Sequence, residues 1–227
     1  TNPFPVDILM DYPYEHQSDE GRAMLQIVHD IAPRAKLKFR TGLVSSGDFA
    51  QGIFDLAQAG CDVIVDDITY VTEPFFKDGI ISKAVDSVAS NGVSYFSAAG
   101  NFGVSSWEGM FNPMPAPTGY TGMVHDFGGG DYMQQVTLNP GQYTIVMQWD
   151  DNFYSLGELP GSLNDFNIYI VDQSGRKLFG FNRKNNWGDP IELLPFTVRG
   201  KYPTVANIVI SRNWSANNIP VRLKYLV

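Results

Sequence analysis

The chain has 227 residues, 44% of them apolar and 18% charged, the profile of a globular protein of one or two domains rather than a disordered or fibrous one. No apolar run approaches the roughly 18 residues that a membrane-spanning helix needs. The net charge of −8 argues against a nucleic-acid partner, and a lone cysteine, Cys61, permits neither an internal disulfide nor a cysteine zinc site.

In chain order, Thr1-Asn2-Pro3-Phe4 lacks the basic start and long apolar core of a signal peptide and reads as a cut inside a larger protein. Val6–Met10 reads as a short strand. Glu20 to Ala32 opens with a carboxylate, closes at Ala32-Pro33, and repeats Met24, Ile27, Val28 and Ile31 at helical spacing. Glu20 is in phase with that set and is expected to point along its buried face, with Ser18 or Asp19 capping the helix. Lys36–Thr41 alternates like a strand, and Phe49–Ala59, closed by Gly60, reads as a second helix. Cys61 precedes the apolar strand Val63–Val65 and is expected to be a buried structural thiol. Asp78–Ala89 is a third helix and Ser94–Ala98 the next strand. Alternation of this kind predicts an α/β parallel sheet in which the strands ending at Thr41, Asp66 and Ala98 run side by side.

From Gly119 the pattern changes to short alternating runs: Met133–Leu138, Tyr143–Trp149, Phe166–Val171, Lys177–Phe181, Ile191–Val198, Val205–Ile210 and Val221–Val227. Turn signals at Asn139-Pro140-Gly141, Ser174-Gly175, Asn185-Asn186 and Asn217-Asn218 separate them, predicting an antiparallel β-sandwich of jelly-roll type. Charge changes at the same place. Residues 1–117 carry 7 Lys and Arg against 15 Asp and Glu, whereas residues 118–227 carry 9 of each. The proline-rich Asn112–Pro117 segment is the expected linker, giving domains 1–117 and 118–227.

Two strings carry a resemblance. Glu20-Gly21-Arg22-Ala23-Met24 through Ile31-Ala32-Pro33, together with Ser97-Ala98-Ala99-Gly100-Asn101, resembles the subtilase clan of serine peptidases over residues 1–117. In that clan a His-Gly-Thr helix ending in Val-Ala-Pro carries the base, and an Ala-Gly-Asn turn donates to the oxyanion. The resemblance implies peptide-bond hydrolysis by serine acylation, a peptide or protein substrate, Glu20 as base and Asn101 as oxyanion donor. A carboxylate base is similar to the sedolisin branch, yet the Asp that sedolisins place one turn later is Met24 here, and their Asp at the oxyanion position is Asn101. Asp67, with Asp66, ends the central strand where the clan contacts the substrate backbone. The second half is similar to small β-sandwich modules of secreted peptidases, and the resemblance implies an extracytoplasmic location.

Each residue also has a plainer structural reading. A first-turn Glu is favoured by the helix dipole alone. Asn101 suits a turn built with Gly100 and Gly103. Asp66 and Asp67 form a solvated pair at a strand end. The clan's nucleophile motif, Gly-Thr-Ser-x-Ala, does not occur; Gly103-Val104-Ser105 and Gly161-Ser162 lack its context. Asp11 stands too close to Glu20 to serve as the clan's aspartate, which is expected upstream. The chain alone is therefore expected to be inert, the rest of the same polypeptide completing the catalytic domain.

His16, His29 and His125 have no metal-binding spacing, so no metal is assigned to the catalytic half. In the sandwich, Asp150-Asp151-Asn152, Asp165 and Asp172 are candidate oxygen ligands for Ca²⁺. Trp149, Trp187 and Trp214 read either as core or as a sugar-stacking platform. The rival function is a non-catalytic, degenerate peptidase fold whose sandwich binds protein or glycan. A nucleotide-binding α/β domain fails for want of a glycine-rich loop after the first strand.

Overall fold

The computed structural model describes residues 4–14, 18–180, 183–216 and 219–227. His16, Phe181 and the Asn217-Asn218 turn lie outside the described residues. The chain divides into two compact units, residues 1–73 with 78–100, and residues 74–77 with 101–227. The division falls at Gly100-Asn101, ahead of the proline-rich segment.

In the first unit, β1 (Asp7–Met10), α1 (Glu20–Ile31), β2 (Lys38–Arg40), α2 (Ser46–Gln58), β3 (Val63–Asp66), α3 (Ile80–Ser90) and β4 (Ser94–Ser97) follow in order. Ser45 caps α2 by accepting the Asp48 N–H at 3.1 Å. Ala50, Ile53, Ile64, Ala84 and Val88 form a small core between α2, β3 and α3, against which Cys61 packs. Cys61 is partly rather than fully buried, and burial pushes its thiol pKa up.

The expected parallel sheet is not formed. β1 pairs in parallel with β2, and β3 in parallel with β4, as separate two-stranded sheets, and no ladder joins β2 to β3. The strands ending at Thr41 and Asp66 therefore do not run side by side, and the protein as a whole is mostly antiparallel β. The physical reason lies in β2. It is only three residues long, with charged Lys38 and Arg40 flanking Phe39. Arg40 turns its guanidinium to α2, where Asp48 accepts at 2.9 and 3.0 Å and Asp55 at 2.9 Å. Periodicity revealed the strands; it carries no information about which edges pair.

The second unit comprises β5 (Ser106–Met110), β6 (Pro113–Pro115), β7 (Met123–His125), β8 (Gln134–Leu138), β9 (Gly141–Trp149), β10 (Asn164–Val171), β11 (Lys177–Gly180), β12 (Ile191–Val198), β13 (Thr204–Ser215) and β14 (Arg222–Leu226). They build a six-stranded sheet in the order β11-β10-β13-β7-β6, with β8 also on β13, and a four-stranded sheet in the order β12-β9-β14-β5. The pairings are antiparallel throughout. Alternate residues of the two sheets, among them Ile145, Met147, Trp149, Phe166, Ile168, Ile170, Ile208, Ile210 and Leu223, meet in one core. The proline-rich segment is not a linker but contains β6, at the sheet edge where missing N–H groups are tolerated. A second layer, with Tyr120, Tyr132, Met114 and Met133 packed over Val124, Tyr169, Val171 and Val209, covers the outer face of the six-stranded sheet. This is why every residue of β10 is buried.

Candidate functional site

The first unit holds a cleft of about 280 Å³ lined by Glu20, Gly21, Met24 and Val28 of α1, by β2, and by Ile64 to Ile68 at the end of β3. Glu20 is the first residue of α1, where unpaired backbone N–H groups and the helix dipole favour an anion by about 0.3–1 kcal/mol. Asp19 occupies the cap position but makes no side-chain cap; its carboxylate pairs with Arg22 instead. The α1 face that packs is Gly21, Met24, Leu25 and Val28, whereas Ile27 and Ile31 are 62% and 82% exposed. The expected alignment of Glu20 with a buried Ile27–Ile31 face is therefore corrected. Gly21 sets the approach of α1 to β2, because a Cβ there would stand 2.4 Å from Phe39 Cε2.

The adjacent carboxylates on β3 and just beyond it differ in what they touch. Asp66 Oδ1 accepts from Ile68 N–H at 3.1 Å and from Ser97 Oγ at 3.0 Å, so it closes the strand end and ties β3 to β4. Asp67 is exposed and faces the cleft that Glu20 lines. Beside Asp66, the Tyr95 hydroxyl is buried, and burial, followed by hydrogen bonding to Asp66 and the charge of that carboxylate, pushes the phenol pKa up. A second, wider cleft of about 530 Å³ runs past Asp66, Tyr70, Glu73, Asp78, Asp86 and Ser97. Its four carboxylates make it strongly acidic.

Of the sequence-derived site residues, Glu20 and Asp67 thus meet at one cleft. Asn101 belongs to the second unit and lies exposed directly after Gly100, whose φ of 75° lets the chain turn there. His29, whose position off the Ile27–Ile31 stripe suggests a solvated side chain, is partly exposed, with its Nδ1 buried without a partner. His125 sits in an aromatic cluster with Trp107, Phe111 and Phe127, and its Nδ1 accepts the Asn112 N–H at 3.0 Å.

The candidate calcium ligands are occupied in different ways. Asp151 Oδ2 accepts from Ser162 Oγ, Leu163 N–H and Asn164 Nδ2, each at 2.9 Å. Asp172 is held at about 2 by hydrogen bonds from the Ser174 hydroxyl and N–H and from Arg176. Asp165 alone among them is buried beside groups whose oxygens have no donor. No group of three or more His, Cys, Asp or Glu side chains with metal-binding geometry occurs among the described residues. Trp149 is fully buried, its Nε1 donating to Ser162 Oγ at 3.0 Å, whereas Trp187 and Trp214 form an exposed edge-to-face pair 5.3 Å apart. Among the described residues no helix is long and apolar enough to cross a membrane. Neither a family model nor a curated protein matches the chain.

Proposed function

We propose that this chain is part of an exported serine-type peptidase of the subtilase clan, in which Glu20 acts as general base, Asp67 contacts the substrate backbone and Asn101 donates to the oxyanion. The observation that carries the reading is the placement of Glu20 and Asp67 on one cleft, at a helix start and a strand end respectively. A base on a helix N-terminus abstracts the nucleophile's proton while the dipole stabilises its ionised form. An amide such as that of Asn101 lowers the barrier by about 2.7–4 kcal/mol when it donates to a tetrahedral oxyanion. The nucleophile comes from another part of the polypeptide. That the first unit packs against further chain is supported by its exposed apolar residues, among them Val63 at 59%, Phe96 at 61% and Ile31 at 82%. Parallel strands are ordinarily covered on both faces, and two-stranded sheets are marginal alone.

Two measurements test this. The chain alone takes no fluorophosphonate label; modification of Ser97, Ser105 or Ser106 would refute the assignment. In the full-length protein, Glu20→Gln lowers turnover by at least about a hundredfold, the usual size of a general-base contribution, with folding unchanged. Wild-type turnover in Glu20→Gln reduces Glu20 to a residue that starts a helix.

A further inference from the structure

Asp165 of β10, Glu192 of β12 and Asn185 of the loop between β11 and β12 are buried together in the sandwich, at 6%, 1% and 5% exposure. Asp165 Oδ1 accepts the Asn185 N–H at 3.0 Å, and Glu192 Oε1 accepts the Arg183 N–H at 3.3 Å. Asn185 is tightly fixed. Its Nδ2 donates to the carbonyls of Asp189 at 3.1 Å and Ile191 at 2.7 Å. Its loop is pinned to Ser162 by Trp187 N–H on the Ser162 carbonyl and Ser162 N–H on the Gly188 carbonyl. With both amide hydrogens directed at carbonyls, Oδ1 is the end left over, and it is buried without a partner. Glu192 Oε2 is likewise buried without one.

The site is thus rich in buried oxygen acceptors and short of donors. Arg183 and Lys184 lend positive charge to Glu192 and Asp165 respectively, but Glu192 Oε2 has no hydrogen-bond partner. Burial, and then the charge of Asp165, push Glu192 up to about 8, and burial also raises Asp165. Groups disposed in this way repel one another until a cation enters or a carboxyl takes up a proton. We propose that Asp165, Glu192 and Asn185 Oδ1 bind a calcium-class divalent cation that locks the β11–β12 loop onto the sandwich. An all-oxygen set of two carboxylates and an amide carbonyl suits Ca²⁺, which accepts irregular oxygen coordination. It contains no thiolate or imidazole to select zinc. The proposal stands apart from the peptidase reading, since every ligand lies in the second unit.

The chain supplies its own reporter. Trp214 stands opposite Asp165 in the β10–β13 ladder, and Trp187 follows Asn185 in the same pinned loop. Terbium, which takes the oxygen ligands of calcium, is added to the chain after EDTA treatment, with excitation of tryptophan. The expected result is saturable one-to-one terbium emission, displaced by Ca²⁺, and a rise of about 5 °C in the tryptophan-detected melt in millimolar Ca²⁺. Glu192→Gln and Asp165→Asn each weaken binding at least about tenfold, since affinity follows the ligand charge. Should Glu192→Gln fail to fold, Glu192→Asp serves instead, keeping the charge but withdrawing the oxygens by one methylene, and it binds more weakly than the wild type. No saturable emission from the folded wild type overturns the proposal, as does undiminished binding by a folded Glu192 variant.

Discussion

His125 makes the sandwich acid-sensitive in a way that one substitution isolates. The ring is 3% exposed, packed edge-on against Trp107 and Phe127, and its Nδ1 is the acceptor for the Asn112 N–H. Protonation removes that acceptor and places a charge among aromatic rings, and burial accordingly lowers the pKa from 6.5 to about 4. The unfolded chain therefore takes up a proton as pH falls through 6.5, while the folded chain resists until about 4. Stability is fully present above 6.5 and is lost as pH falls through that window. At about 1.4 kcal/mol per pH unit, the gap amounts to about 3 kcal/mol. Glu192 acts in the opposite sense. Its carboxyl is raised from 4.5 to about 8, so it costs stability as pH rises across that range. Comparing wild type with His125→Phe cancels the Glu192 contribution, which both proteins share. Phe keeps the aromatic packing but leaves the Asn112 N–H unpaired, a pH-independent cost of about 1–3 kcal/mol. Urea unfolding followed by tryptophan fluorescence is the assay, because Trp107, Trp149, Trp187 and Trp214 all lie in the second unit. Near neutral pH the wild type is the more stable; towards pH 4 its advantage shrinks by about 3 kcal/mol. Parallel stability curves for the two proteins would show that the His125 ring is not held neutral by its surroundings.

Gly21→Ala drives a methyl group against Phe39, 2.4 Å away, and is expected to destabilise the first unit by about 1–3 kcal/mol in a circular-dichroism melt. Phe39→Leu recovers part of that loss, and a neutral Gly21→Ala would mean that α1 does not approach β2 so closely. Arg40→Met leaves Asp48 and Asp55 facing each other without their cation. Because their side chains keep 23% and 36% exposure, the expected loss lies at the low end of the range for a broken buried pair, about 3 kcal/mol, measured by hydrogen exchange of α2.

What was legible in the sequence was the set of elements, and what was not was their partners. The seven alternating runs of the second half fall on β8 to β14, and Glu20–Ile31, Val63–Asp66 and Ser94–Ser97 lie where helical and strand periodicity put them. Strand pairing escaped because it is decided by contacts far apart in sequence. Lys38–Arg40 reads as a sheet strand, yet the interaction of Arg40 with Asp48 and Asp55 lies on α2, outside any strand pattern. Ser106–Met110 and Pro113–Pro115 are short, and their partners β14 and β7 are remote or weakly patterned. Of the candidate site residues, Glu20 and Asp67 are marked by family-like spacing, and both line one cleft of the first unit. Glu192 gave no signal, since it sits at an inward position of an otherwise apolar strand and its neighbours Asp165 and Asn185 come from other segments. An acidic residue in phase with Leu194, Phe196 and Val198 is the one mark that points to it.

The carboxylates of this protein sort by what donates to them, and that sorting separates structure from chemistry. Asp66, Asp151 and Asp172 each accept at least two N–H or O–H groups and close a strand end, a loop and a turn. Asp48 and Asp55 share the Arg40 guanidinium. Their negative charge is already matched, so removing any of them costs stability. Glu20 and Asp67 are exposed on a cleft, where water screens their charge. Asp165 and Glu192 are the reverse case, buried with a backbone N–H donating to each and with Glu192 Oε2 left without a partner. A carboxylate in the first position is free to act as a base at little folding cost; one in the second is costly unless a cation repays it. The two sites therefore respond to different perturbations. Neutralising Glu20 should alter turnover and leave melting unchanged, whereas neutralising Glu192 should alter the calcium dependence of melting and leave the cleft of the first unit as it was.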